Sequence, residues 1–168
     1  MSDDQSNNQK NAIIHRIAIG SDHRGNTAAN QILETIKNLG HEGWIIGGCD
    51  DQPCDYPERA WQVGQEIASG KADRGVLICG TGIGMSIAAN KMDGLRAALV
   101  HDELTAQLSR SHNDANILCL SADLLGARLM DKIMEVWIKT PFDGGRHQRR
   151  IDKITEIEQG RDPSLVSV

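Results

Sequence analysis

The strongest constraint on how this chain can fold is a seven-residue turn, Cys79-Gly80-Thr81-Gly82-Ile83-Gly84-Met85, set between two stretches of different periodicity. Ahead of it, Gly75-Val76-Leu77-Ile78 is a continuous apolar run of strand length, as in a parallel strand buried on both faces. Behind it, Ser86-Ile87-Ala88-Ala89-Asn90-Lys91 reads as the opening turns of a helix. Three glycines at alternate positions strip the turn of side-chain bulk, so its N–H groups can approach an anion at the helix N-terminus. A cysteine that ends the strand stands in the field most able to make it a thiolate. A thiolate beside an anion cradle points to proton transfer on a small charged molecule.

The same alternation of apolar runs and helical patterns extends from residue 13 to about residue 158. It predicts strands over 13–19, 41–46, 74–78, 95–100 and 116–120, and helices over 26–39, 56–68, 84–91, 102–111, 123–139 and 151–158. In the first helix Ala29, Ile32, Leu33 and Ile36 share one face, and Gly40 suits its C-terminal stop. Pro57 fits the first turn of the second. Strands that alternate with helices predict an α/β fold, a three-layer, doubly wound, five-stranded parallel sheet of Rossmann-like type. Such sheets bind ligands at the carboxyl ends of their strands. Asp22-His23, the 79–84 turn and His101-Asp102 fall there, whereas His112-Asn113 lies just before strand five, on the loop leaving the fourth helix. A last helix beyond a complete five-strand unit is expected to cover its apolar side against another surface, as at a dimer interface. Residues 1–11 read as a disordered polar tail, 12–159 as one domain and 160–168 as a frayed C-terminal tail.

Composition narrows the function classes. With 168 residues, 39% of them hydrophobic and 24% charged, the chain has the make-up of one ordinary globular domain. A net charge of -5 argues against a nucleic-acid partner. No apolar stretch reaches the roughly 18 residues of a membrane span, and the polar N-terminus is no secretory signal, so a cytoplasmic location is expected. Cys49 and Cys54 bracket Asp50-Asp51-Gln52-Pro53, but no second Cys/His pair follows at zinc-site spacing. Free thiols are expected there, with neither a metal nor a cofactor.

Each candidate residue has a bland alternative. Cys79 could be a small core residue at a strand end; the glycine turn, with the hydroxyl of Thr81 two residues on, favours chemistry. Asp22 and His23 could cap the first helix, although two ionisable groups at a strand's carboxyl end are placed to meet a ligand. By spacing alone His112 reads as a helix-terminal histidine favoured by the macrodipole. Arg146 and Arg150 could belong to a solvated face. If helical, they project from one side and suit bidentate phosphate recognition.

Taken together and in order, these segments resemble the type B ribose-5-phosphate isomerases, of the ribose/galactose-6-phosphate isomerase family. The resemblance rests on Ile19-Gly20-Ser21-Asp22-His23, Asp55-Tyr56-Pro57, the 78–84 segment, 86–91, Ser109-Arg110-Ser111-His112-Asn113-Asp114-Ala115-Asn116 and Gly144-Gly145-Arg146-His147. It implies a metal-free aldose–ketose isomerase that interconverts ribose 5-phosphate and ribulose 5-phosphate through an enediolate. Cys79 would move the proton between C1 and C2, and Thr81 would hydrogen-bond near its thiolate or a sugar oxygen. The amides of Gly80, Thr81, Gly82, Ile83 and Gly84 would stabilise the enediolate oxygen. His112 would open the furanose ring and Asn113 would bind a sugar hydroxyl. Asp22, His23 and Tyr56 would line the substrate site, and Arg146 and Arg150 would clamp the phosphate. The resemblance further implies a homodimer, or a dimer of dimers, with the site completed across its interface. Some members use a glutamate in the glycine loop; here that position is Met85, which leaves the chemistry to Cys79. Where many members carry an arginine after strand five, this chain has Ser121-Ala122-Asp123, a carboxylate for a phosphate-side cation. On sequence grounds Asp123 is well placed to cap the helix that follows.

Three rival readings remain open. An isomerase of another phosphorylated sugar, an allose, galactose or tetrose phosphate, would keep the same motifs. A non-catalytic sugar-phosphate sensor would keep Arg146 and Arg150 without needing Cys79 and His112 together. A nucleotide-binding module fits worst: its third fingerprint glycine falls at Met85, and the turn follows the third strand instead of the first.

Overall fold

The computed structural model describes residues 13–47 and 53–167. The predicted tail 1–11 therefore lies outside the described residues, as does Cys49. Five strands, β1 (Arg16–Ser21), β2 (Glu42–Ile45), β3 (Arg74–Cys79), β4 (Ala97–Leu99) and β5 (Ile117–Ser121), form one all-parallel sheet in the order β2-β1-β3-β5-β4. This is the expected α/β doubly wound sheet.

Helices α1 (Asn26–Asn38), α4 (Glu103–Ser111) and α5 (Ala127–Lys139) cover one face of the sheet, and α2 (Tyr56–Ala68) and α3 (Ile83–Ala89) cover the other. Strand alternation sorts the core between them. Ile17, Ile19, Val76, Ile78, Leu118 and Leu120 face the first layer, where Ile32, Ile36, Ile133 and Trp137 meet them. Ala18, Leu77, Cys79, Ile117 and Cys119 face the second, with Val63 and Met85. Met85, at the end of the glycine turn, is fully buried in that core. It holds α3 against the sheet.

The larger departures from the expected boundaries each have a local reason. Ile13 and Ile14 are exposed and precede the sheet, because β2 begins at Glu42 opposite Arg16. Helix α5 starts at Ala127, so Asp123 is not its cap. Ser121 Oγ instead accepts the Leu124 N–H at 3.0 Å, and the chain makes a turn before Gly126. The last helix, α6 (Arg146–Glu158), starts five residues earlier than expected, because Gly144 and Gly145 take positive φ and turn the chain into it. Beyond it, the segment read as a frayed tail contains a 3₁₀ turn at Pro163–Leu165, closed by Asp162 Oδ1 accepting the Ser164 N–H at 2.8 Å. No helix among the described residues is long and apolar enough to cross a membrane. Cys79 and Cys119 are free, whereas Cys54, expected to be a free thiol, is disulfide-bonded.

Candidate active site

At the carboxyl ends of β1, β3 and β5 lies a shallow cavity of about 540 Å³ with Cys79 in its wall. Cys79 is the last residue of β3, only 5% exposed, and its Sγ accepts the Gly82 N–H at 3.1 Å. That contact depends on backbone shape. Gly82 has φ 76°, the left-handed region, and a Cβ there would come within 2.6 Å of Leu99 Cδ1 and 3.0 Å of the Leu120 carbonyl oxygen. Only glycine can make this turn at this distance from β5. The amide thus fixes the sulfur and partners whatever charge it carries.

Other parts of the turn are committed locally. Thr81 Oγ1 accepts the Ile83 N–H at 3.3 Å, so its oxygen braces the first turn of α3. Of the five loop amides expected to face an enediolate, those of Gly82 and Ile83 are therefore engaged within the turn. Tyr56, the first residue of α2, lays its ring against Gly84, where a Cβ would meet the ring at 2.5 Å. Asp22 is buried, its Oδ1 accepting the N–H groups of Arg24 and Gly25 at 3.0 Å each, and it lines the cavity. Gly80, Thr81, Ile83 and Gly84 line it too, whereas Gly82 is buried behind them. His23 is exposed and does not line it. His101-Asp102 is not brought in either: Asp102 caps α4, its Oδ1 accepting the Thr105 N–H at 2.7 Å.

The remaining expected residues assemble at the other edge of the sheet. His112 ends α4, which runs back from the carboxyl edge, and five residues later the chain enters β5 at Ile117, level with Gly75 at the start of β3. The imidazole of His112 stacks on that of His147, with centroids 4.1 Å apart and planes 9° from parallel. His147 is buried; burial first, then the charges of His112, Arg146 and Arg150, lower its pKa, opposed by Asp143. Arg146 Nε donates to His147 Nε2 at 3.4 Å, and the Asp143 N–H ties the loop to the Ser111 carbonyl at 3.0 Å. Arg146 and Arg150 are exposed on α6, one turn apart, as the sequence pattern required for a phosphate clamp. Asn113 is exposed and lines a separate groove of about 470 Å³ under Ile154 and Ile157.

Cys79 and His112 are thus not brought together within one chain. His147, Asp143, Arg24 and Asp123 are additions that sequence reasoning did not assign to a site. His147 was signalled by its place after Arg146, and Arg24 by following Asp22-His23. Donor atoms of His112, Asp143 and His147 lie within 4.8 Å of one another. Two near-parallel stacked rings aim their in-plane lone pairs side by side, not at one point, which fits a tetrahedral cation poorly.

The model of the Ribose/Galactose Isomerase family matches residues 17–154. Ribose-5-phosphate isomerase B of Escherichia coli is 42% identical over 149 residues, covering 89% of this chain and 100% of that protein. The type B ribose 5-phosphate isomerase of Leishmania infantum superposes with a TM-score of 0.85 at 44% identity, over 88% of this chain and 99% of that one. The Mycoplasma genitalium ribose-5-phosphate isomerase B, solved with bound ribulose-5-phosphate, gives 0.81 at 43% identity, over 86% and 96%.

Proposed function

The chain belongs to the ribose/galactose isomerase family, and from that premise we propose that it interconverts ribose 5-phosphate and ribulose 5-phosphate through an enediolate, with Cys79 as the base. The observation that carries the reading is the Cys79 sulfur, set in the cavity wall at the end of β3 and held by the Gly82 amide. In the aldose-to-ketose direction the thiolate takes the C2 proton and returns it to C1, while a proton passes from the C2 oxygen to the C1 oxygen. Negative charge on the enediolate falls to the loop amides of Gly80, Thr81 and Gly84, fixed donors that need no reorganisation, while those of Gly82 and Ile83 brace the turn. Tyr56 and Asp22 shape the sugar pocket, and Thr81 stiffens the turn.

His112 opens the furanose by moving the anomeric hydroxyl proton toward the ring oxygen, with His147 stacked beneath it. Asn113 binds a sugar hydroxyl, and Arg146 and Arg150 grip the phosphate. Because these residues lie at the far edge of the sheet from Cys79, the working site joins the cavity of one copy to the His112 side of a second. Ile83 and Ile87, four apart on α3, are 52% and 59% exposed and line the Cys79 cavity, an apolar rim suited to such a neighbour.

The test is ketose formation by purified protein from ribose 5-phosphate, set beside allose, galactose and erythrose phosphates. Ribose 5-phosphate should be the best substrate. Cys79→Ala should fold normally and lose about 10²–10⁴-fold in kcat, the range of a general base. Retention of more than about a tenth of the wild-type rate would assign the proton transfer to another residue.

A further inference from the structure

The rim of the Cys79 cavity carries a feature that proton transfer alone does not use. Among the described residues that line it there is one cation, Arg24, and its guanidinium is paired with Asp123. Nε lies 3.0 Å from Oδ2 and 3.3 Å from Oδ1, and Nη2 lies 2.8 Å from Oδ2. The two residues stand 99 positions apart and meet because β1, β3 and β5 are neighbours in the sheet. Their side chains are 57% and 37% exposed, and an ion pair that open to water adds little to stability.

What the pair does is hold a guanidinium still. The Asp123 N–H donates to the Gly80 carbonyl at 3.0 Å, next to the Ala122 N–H bound to the Cys79 carbonyl at 2.9 Å. On the other side the Arg24 N–H donates to Asp22 Oδ1 at 3.0 Å. Both ends of the pair are therefore anchored to the frame that holds the sulfur. Its proximity to that frame is direct: a Cβ on Gly80 would come within 2.8 Å of Asp123 Oδ2 and 3.0 Å of Arg24 Nε. Pairing occupies the Nε–Nη2 edge, and no hydrogen bond among the described residues engages Nη1. A fork fixed on one edge and open on the other is suited to an oxyanion.

We infer that Arg24 is a substrate-binding residue that reads the phosphate group from the Cys79 side of the site, and that Asp123 is its positioning residue. The inference rests on the sugar-phosphate reading above. It makes the phosphate grip a joint one, with Arg24 and the α6 arginines approaching from the two copies.

The test has two arms, one of which needs no turnover. Inorganic phosphate serves as the probe, and its protection of Cys79 against alkylation by iodoacetamide is followed on the Cys79 peptide. In Arg24→Ala the phosphate concentration for half-protection should rise about tenfold or more, and KM for ribose 5-phosphate about 10- to 100-fold, with kcat within about threefold. Asp123→Asn should shift both quantities in the same direction by about three- to tenfold, because the fork loses its aim but keeps its charge. The reversed pair, Arg24→Asp with Asp123→Arg, should recover a substantial part of the loss. An unchanged KM and unchanged protection in Arg24→Ala overturn the inference, as does a fall in kcat at constant KM, which would make the pair a brace for the loop. Should the wild-type protein fail to turn over ribose 5-phosphate, the proposed activity fails, and the protection arm still decides Arg24.

Discussion

In the proposed mechanism, His112 is the residue whose role depends most on the form of the substrate. Its backbone ends α4, its ring stacks on buried His147, and Arg146 donates to the same partner. An imidazole held in that place can accept a proton with one ring nitrogen and donate one with the other. His112→Asn should therefore fail on ribose 5-phosphate, which must be opened first, yet retain activity on an aldose phosphate whose phosphate position prevents furanose closure. Equal damage on both would move His112 into the proton transfer between C1 and C2. Residues such as Cys79, Gly80, Gly84 and Asp22 were legible in the sequence because strand ends and the turn after them are contiguous there. The Arg24–Asp123 pair was not. It depends on the order of strands, which no local pattern carries, and Asp123 read locally as a cap. The His112–His147 stack was hidden for the same reason, being formed between the end of α4 and the start of α6.

Element boundaries followed the sequence where a stop signal is local. Helix α2 spans Tyr56–Ala68 as expected, with Pro57 at its first turn. Helix α5 did not, because Ser121 takes over the turn that Asp123 was expected to cap. The starts of β1 and β2 carry a consequence for acid stability. There the His15 N–H donates to His41 Nδ1 at 3.2 Å, and the two rings lie 5.3 Å apart. Burial, then the charges of Arg74 and His41, bring the pKa of His15 down to about 4, and that of His41 is lowered as well, by burial and Arg74. A histidine depressed in the folded state is protonated first in the unfolded chain. Its contribution is complete above about pH 6.5 and is lost as pH falls toward about 4. The melting temperature should drop across that window, and His15→Gln should flatten the slope by an amount of order 1 kcal/mol, once solvent screening is allowed for. An identical slope in the variant would mean that other groups carry the acid sensitivity.

For the whole molecule, the decisive fact is that the two sets of candidate residues sit at opposite edges of one sheet. Helix α4 alone, nine residues long, spans about 13 Å between the carboxyl edge and His112. A substrate the size of a pentose phosphate cannot touch Cys79 and His112 of one chain around that layer. Two copies, each offering its α3 rim to the other's α6 side, can close two sites at once by twofold symmetry. Cys79→Ala and His112→Asn should then each be nearly inactive alone and active together. In a mixed dimer one site holds both defects, and the other holds an intact Cys79 from one chain with an intact His112 from its partner. Random reassortment after mild dissociation should restore about a quarter of wild-type turnover, half of the dimers being mixed and each carrying one good site. The measurement is the rate after mixing, with exchange followed by a size or charge tag on one variant. If mixed dimers form and the rate stays at the level of the separate variants, the site is not shared, and His112 must act within its own chain or not at all.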